Sequence, residues 1–339
     1  MNRTKTSYFS LGLIGGVLLT VFAFSLLSNG RSESGSDSQT KVLKLSHALD
    51  QSHPVHLAME FMRDRLAEKS GGLVVIEIFP NGQLGTETET IEQVQRGVLA
   101  MVKASVAPME AFTPEMGVFG LPYLFRDEDH FWKVLNGPIG KELLALGNPI
   151  GLHGLMFYES GSRSFYTIDK PILTPDDLDS RKIRVMRSKM SMDMISQMGG
   201  SPTPIPFGEL YTALQQGMVD GAENNAPSFE TSRHYEVAKH YSLDEHCRIP
   251  DIVLFSQSIW ESLAPHERAW VQEAADASVA YQRELWRVET QNSLARLQEN
   301  GVTVYRPNKE PFLEKMAPMY ERFEGSSIGS LVERIREVR

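Results

Sequence analysis

The sequence predicts an α/β protein of two domains, on three observations. The segment from Val42 to Val106 alternates strand-like and helix-like patterning as β-α-β-α-β, and Arg181 to Asn225 repeats that alternation, ending in an Asp-Gly-Ala-Glu-Asn-Asn turn. Strands separated by single helices favour a parallel sheet. The third observation is a run from His266 to Asn300 without glycine or proline. It predicts one helix far longer than the globular average, laid across both domains. A length of 339 residues also suits two domains better than one.

The elements follow in order. Val42 to Ser46 reads as a first strand. His56 to Lys69 carries apolar residues at helical spacing and stops before Gly71-Gly72, and Leu73 to Phe79 alternates as a strand into the Pro80-Asn81-Gly82 turn. Thr88 to Arg96 is helical as far as Gly97, and Val98 to Val106 is a buried strand. Phe119 to Phe125 is an apolar, proline-interrupted loop, read as core before ligand wall. His130 to Gly137 and Gly140 to Gly147 are short helices, Leu152 to Tyr158 and Ser164 to Ile168 are strands, and Asp176 or Asp177 opens a short turn. Ile183 to Met186 is a strand containing Arg184. A helix, a Gly-Gly break, a proline-punctuated segment and a second helix lead from it to the third strand, which ends at Asn224. After a short helix, Asp251 to Ser256 is strand-like, and Pro265 stands in the first turn of the long helix. Gly301 ends that helix, Val302 to Tyr305 is a strand, and the tail is helical.

The N-terminus reads as a targeting segment. Arg3 and Lys5 precede the uncharged, mostly apolar run Leu11 to Leu27, and a polar tract follows. That pattern is a secretory signal with a spacer, Ala23-Phe24-Ser25 offering a small-x-small cleavage site. An uncleaved anchor is the competing reading, since the 17-residue run is near the lower limit of a membrane span. Residues 1–40 are therefore set apart as signal peptide or anchor plus flexible spacer, and the folded part is placed outside the cytoplasmic membrane.

Composition narrows the chemistry. The formal net charge is -9; Arg3, Lys5 and Arg31 against Glu33 and Asp37 give residues 1–40 +1, which leaves -10 on the remainder. Such acidity disfavours nucleic acid as a partner and confines any anion site to a local basic pocket. Cys247 is the single cysteine, so no intrachain disulfide forms. The chain has no Gly-x-Ser-x-Gly elbow, no phosphate-cradling Gly-x4-Gly-Lys-Ser/Thr loop and no His-Glu-x-x-His pair. His53 with His56, and His240 with His246, lack companions at metal-ligand spacing. Cys247 beside His246 has no oxyanion signature and is read as an incidental thiol. Binding chemistry remains. Arg163 and Arg184 fall near strand ends and Asn224 ends a third strand, where α/β sheets gather ligands. Two arginines and an amide suit a carboxylate.

The motifs then become specific. FPNGQLGTETE (79–89), FGLPYLF (119–125), GSRSFYT (161–167), KIRVM (182–186), GGSPTPIPFGELYTALQQGMVDGAENN (199–225), HYEVAKHYSLDEH (234–246) and the long helix together resemble a solute-binding protein of the tripartite ATP-independent periplasmic (TRAP) transporters, DctP type. The match spans essentially all of residues 42–320. The resemblance implies a two-lobe periplasmic binding-protein clamshell, type II-like, with the long helix spanning both lobes. It implies lobe I from 41–160 and 250–289, lobe II from 161–249 and 290–339, and capture of a small organic acid for a membrane permease, with no cofactor and no catalysis. Arg184 corresponds to the arginine that ion-pairs the ligand carboxylate, Arg163 to the second arginine, Asn224 to the asparagine of the DGxEN turn and Phe207 to the ligand-lining aromatic. His47, Glu87 and Ser105 map to first-lobe contacts. Asn225 departs from the proline of many relatives.

A glutamate facing the ligand suits hydroxyls better than a second carboxylate, so the expected ligand is a sugar acid, a hexuronate or aldonate, with a C4-dicarboxylate as the alternative. Two other classes stay open: a secreted α/β hydrolase or lyase, and a membrane-tethered sensor that presents its ligand.

Overall fold

A computed structural model describes residues 40–339, so the signal, anchor and spacer expected over 1–40 lie outside the described residues but for the last. No helix among the described residues is long and apolar enough to cross a membrane.

The chain builds two mixed sheets. The first has the order β2-β1-β3-β10-β4 and is formed by β1 (Lys41–Ser46), β2 (Val74–Phe79), β3 (Met101–Ser105), β4 (Leu152–Tyr158) and β10 (Asp251–Ser256). The second has the order β11-β9-β5-β8-β6-β7, from β5 (Arg163–Thr167), β6 (Lys182–Val185), β7 (Ser201–Pro204), β8 (Gly221–Asn224), β9 (His240–Cys247) and β11 (Thr303–Tyr305). The expected parallel pairing holds for β1 with β2 and β3, and for β6 with β7 and β8. Each sheet also receives one strand run the other way, β10 between β3 and β4 and β5 between β8 and β9, so neither is wholly parallel.

Those two reversed strands exist because the chain changes sheets. It crosses from β4 to β5 through 159–162 and returns from β9 to β10 through 248–250. The first crossing is bound on all sides. Gln282 of the long helix takes the Glu159 amide and donates to the Glu159 carbonyl, both at 2.9 Å. The Glu159 carboxylate accepts from Trp132 Nε1 at 2.8 Å and from the amides of Ser160 and Gly161. Gly161 has φ +62°, and a Cβ there would stand 3.0 Å from the Trp286 indole nitrogen, so the turn requires glycine.

Eleven α-helices surround the sheets in the described residues: α1 (Pro54–Ser70), α2 (Glu87–Gln95), α3 (Glu128–Asn136), α4 (Pro138–Ala145), α5 (Lys189–Met198), α6 (Leu210–Gln215), α7 (Ala226–Thr231), α8 (Gln257–Ser262), α9 (Pro265–Glu299), α10 (Glu310–Glu321) and α11 (Ser327–Glu337). The 35-residue α9 is the predicted long helix, about 52 Å at 1.5 Å per residue. It packs on α1 and β4 of the first half and on α7 of the second. The tail returns to the first half: α11 packs on α4 and on residues 114–120.

Apolar burial follows this plan. Leu45, Met59, Met62, Ile76 and Trp286 join α1 and the long helix to the first sheet. Tyr166, Leu210, Phe229, Tyr241 and Leu297 fill the second. A further cluster runs from Val102, Phe119 and Ile252 to Ile183, Val185 and Phe312, tying both halves together. Phe119, Leu121 and Leu124 of the proline-interrupted loop belong to that core.

Candidate functional site

Where strand ends of both sheets face one another, an inner hollow of about 40 Å³ is lined by Glu87, Lys103, Ser105, Arg163, Arg184, Phe207, Asn224 and Asp251, among others. An outer hollow of about 230 Å³ shares Ala48, Glu87, Arg184, Met186 and Phe207 with it, so the two form one cleft. Hollows of about 570 and 520 Å³ lie elsewhere, yet this cleft alone gathers both sequence-predicted arginines. Converging buried charge, more than size, marks a binding site.

Arg184 sits in β6 with only 2% of its surface exposed. Its Nε donates to the Ile205 carbonyl at 2.8 Å, which fixes the plane of the guanidinium. Phe207 lies under it, 5.8 Å from ring centroid to Cζ. Its Nη1 is buried without a hydrogen-bond partner. Burial lowers its pKa, opposed by Tyr166 and Glu223, and the group still carries its charge at any physiological pH. A buried, aimed and unsatisfied guanidinium is a site for an anion with two oxygens.

Arg163 is as buried but differently placed. Its Nε and Nη2 grip the two Glu223 carboxylate oxygens, Nη2 also reaches the Glu223 carbonyl at 2.8 Å, and Nη1 donates to Asn224 Oδ1 at 2.9 Å. Antiparallel register sets this up, with Phe165 opposite Glu223 and Ser164 opposite Asn224. Burial would raise the Glu223 carboxyl, but Arg163 and then His246 outweigh it and hold it at about 2. Arg163 is thus neutralised by its own chain and serves to aim Asn224. With Oδ1 accepting from Arg163 and from the Asn225 amide, Asn224 presents its Nδ2 donors to the cleft.

Behind Glu223 stands His246, fully buried, with Nδ1 2.7 Å from Asp244 Oδ2 and Nε2 3.6 Å from Glu223 Oε2. Burial alone would lower this imidazole; the Asp244 carboxylate, helped by Glu223, raises it to about 9. Burial pushes the Asp244 carboxyl up as well, against the pull of His246, while Asp244 and Glu223 together hold the proton on the imidazole.

The opposite wall comes from the first sheet. Glu87 opens α2, and its Oε1 accepts the Ser105 amide at 2.9 Å. Lys103 Nζ pairs with Asp251 Oδ2 at 2.8 Å. Ser105 lies directly opposite Asp251 on β10, and burial pushes the Asp251 carboxyl up to about 6 against the pull of Lys103.

The structure therefore brings Arg184, Arg163, Asn224, Phe207, Glu87 and Ser105 around one cleft. His47 does not line it; its neighbour Ala48 does. His47 Nδ1 accepts the Leu49 amide at 3.1 Å, which leaves Nε2–H to donate to His56 Nδ1 at 2.9 Å. Burial, then Lys103 and His56, lowers its pKa to about 2, so it stays neutral. Asn225, the departure from proline, caps α7: its Oδ1 accepts the Ser228 amide at 2.8 Å. Sequence reading missed Lys103, Asp251, Glu223 and His246. Charged residues inside otherwise apolar strands, as in Met101–Ser105 and Gly221–Asn224, were the available signal. Among the described residues no cluster of three or more metal-ligating side chains occurs. Cys247 is buried, and that burial pushes its thiol up, away from the reactive thiolate.

Comparison with known proteins is consistent across sequence and structure. The family model DctP, described as "Bacterial extracellular solute-binding protein, family 7", matches residues 45–326. A TRAP periplasmic solute-binding protein from Bradyrhizobium, solved in complex with α/β-D-galacturonate, is 42% identical with a TM-score of 0.85, over 88% of this chain and 100% of that one. The uncharacterized protein YiiZ of Salmonella typhimurium is 38% identical over 282 residues, 83% of this chain and 86% of YiiZ. The C4-dicarboxylate-binding protein DctB of Bacillus subtilis is 28% identical over 302 residues, 88% of this chain and 86% of DctB.

Proposed function

Because the chain belongs to the DctP family of bacterial extracellular solute-binding proteins, family 7, we propose that it captures a sugar acid, a hexuronate first, and hands it to a TRAP membrane permease. The observation that carries this reading is Arg184: buried, oriented by Ile205 and Phe207, and left with Nη1 unpartnered in the cleft. A ligand carboxylate satisfies that donor and its charge together. Around it stand groups suited to hydroxyls: the Asn224 amide, Ser105, Glu87 and the Lys103–Asp251 pair. The relatives agree, since the galacturonate-bound protein shares more of its sequence with this chain than the C4-dicarboxylate-binding one does.

We further propose the periplasm as the site of action, with residues 11–27 acting as export signal or tether. The lobe boundaries expected from the sequence are likewise retained as a proposal: 41–160 and 250–289 against 161–249 and 290–339. Within the latter, α11 rests on α4 of the first half.

A thermal-shift panel tests the ligand class. Ligand that binds only the folded state stabilises it by RT ln(1 + [L]/Kd). D-galacturonate, D-glucuronate or a hexonate is expected to raise Tm, and succinate, malate and fumarate to leave it near its starting value. A shift with the C4-dicarboxylates alone overturns the sugar-acid reading in favour of the alternative.

A further inference from the structure

The wall facing Arg184 contains an ion pair that carboxylate capture leaves unused. Lys103 and Asp251 have side chains only 3% and 5% exposed, with Nζ 2.8 Å from Oδ2. They project from neighbouring antiparallel strands: Lys103 stands opposite Val253, and Asp251 opposite Ser105, so the three polar side chains share one sheet face. All three line the inner hollow with Arg184 and Asn224.

Stability does not explain the pair. The strands are otherwise apolar here, with Met101, Val102, Ala104, Ile252, Val253 and Leu254 all buried. Replacing a buried ion pair by apolar side chains of similar volume is commonly neutral or stabilising. A use at the cleft is the better account.

Charge gives that use its direction. On the Arg184 side, Arg163 and Arg184 against Glu223 leave one net positive charge. On the facing side, Lys103 against Asp251 and Glu87 leaves one net negative charge. The cleft is therefore polarised across its width. A hydroxyl both accepts and donates, so it can accept a hydrogen bond from the Lys103 ammonium and donate one to the Asp251 carboxylate. A carboxylate has no proton to give and would face two like charges in a dry site.

We propose that Lys103 and Asp251 form a hydroxyl-recognition subsite that orients the far end of the ligand and, together with Glu87, rejects a second carboxylate. The inference rests on the sugar-acid reading and adds to it a rule: one carboxylate is admitted, at Arg184, and the opposite end of the ligand must be hydroxylated.

D-galacturonate and galactarate decide it, because both have six carbons and galactarate carries a carboxylate at each end. Calorimetry on the full chain is expected to show galacturonate bound at least about 100-fold more tightly. The Lys103→Met/Asp251→Asn double variant removes both charges and strands neither. Its galacturonate affinity is expected to fall about 10- to 100-fold, the range for losing charge-assisted hydrogen bonds, and its preference over galactarate to shrink at least about tenfold. Equal binding of both acids by the unaltered protein overturns the subsite without any variant. So does a folded double variant that keeps both the affinity and the preference. If no uronate or hexonate binds at all, the sugar-acid reading itself falls, and the subsite with it.

Discussion

Two arginines of equal burial have unequal duties because of what already holds them. Arg163 spends its donors on Glu223 and Asn224, whereas Arg184 gives one to Ile205 and keeps Nη1 unpartnered. Arg184→Ala is therefore expected to weaken binding of the preferred sugar acid by about 2–5 kcal/mol, the cost of stranding a buried carboxylate. Arg184→Lys should recover little of it, since an ammonium lacks the planar fork and cannot hold Ile205 and ligand together. Calorimetry reads both, and an Arg184→Ala protein of native affinity would remove Arg184 from the site. Sequence motifs reached Arg184, Arg163, Phe207 and Asn224, as each occupies a recognisable segment near a strand end or helix start. They could not reach the pairings. Glu223 meets Arg163 only because β5 and β8 run antiparallel in one register, and Lys103 meets Asp251 across 148 positions only because β10 enters the first sheet from the other half. His47 stands apart for the opposite reason: it is close in sequence to the cleft wall, but its ring turns to His56.

Among the strands, β9 is the one the sequence hid. Its eight residues include His240, Asp244, Glu245 and His246, and that density of charge masks the strand. The structure explains why a strand tolerates it. Between the pairs Phe165–Ser242 and Arg163–Cys247 the register shifts, so residues 243–246 bulge from the ladder, with Glu245 at φ +51°. The bulge turns Asp244 inward, where Oδ1 accepts the Phe165 amide at 3.2 Å, and brings the His246 ring against Phe165 and Glu223. A consequence for stability follows with a definite sign. The His246 pKa is raised from about 6.5 to about 9, so its contribution is complete below 6.5 and is lost as pH climbs through 9. Glu223, held at about 2, contributes above 4.5 and loses that contribution only as pH falls toward 2. Between pH 6.5 and 9 the protein should therefore lose several degrees of Tm, and His246→Gln, starting lower, should lose markedly less over the same interval. An identical slope in the variant would mean that the imidazole is neutral between Asp244 and Glu223. Most other elements were legible within a few residues, because caps and glycine stops bound them: Thr86 and Glu89 box α2, and Gly71 and Gly199 end α1 and α5 in the left-handed conformation, whereas α8 was not read and the tail was read as one helical stretch.

For the whole molecule, the cleft is assembled from both sheets, and that fixes how ligand and shape are linked. Glu87, Lys103, Ser105 and Asp251 belong to the first half; Arg163, Arg184, Phe207 and Asn224 to the second. A ligand touching both walls is bound best when they face one another at close range, so it favours that arrangement by its differential affinity. Polar contacts across the halves already act in the same sense. Glu110 accepts from Ser188 Oγ at 2.6 Å and from the Met190 amide at 3.1 Å at the start of α5, and His53 Nε2 meets Ser228 Oγ at 3.1 Å. The inner hollow, at about 40 Å³, is continuous with the outer one of about 230 Å³, and a ligand that joins both walls is expected to enter as the halves part. The two short crossings, 159–162 and 248–250, link the sheets along the chain, and α9 packs on both halves. Small-angle scattering is accordingly expected to show a modest contraction when the preferred sugar acid is added to the protein. Arg184→Ala at the same ligand concentration should stay expanded, since it loses the contact that joins ligand to the second wall. Heat of binding without any contraction would mean that the walls are already apposed in the unliganded protein.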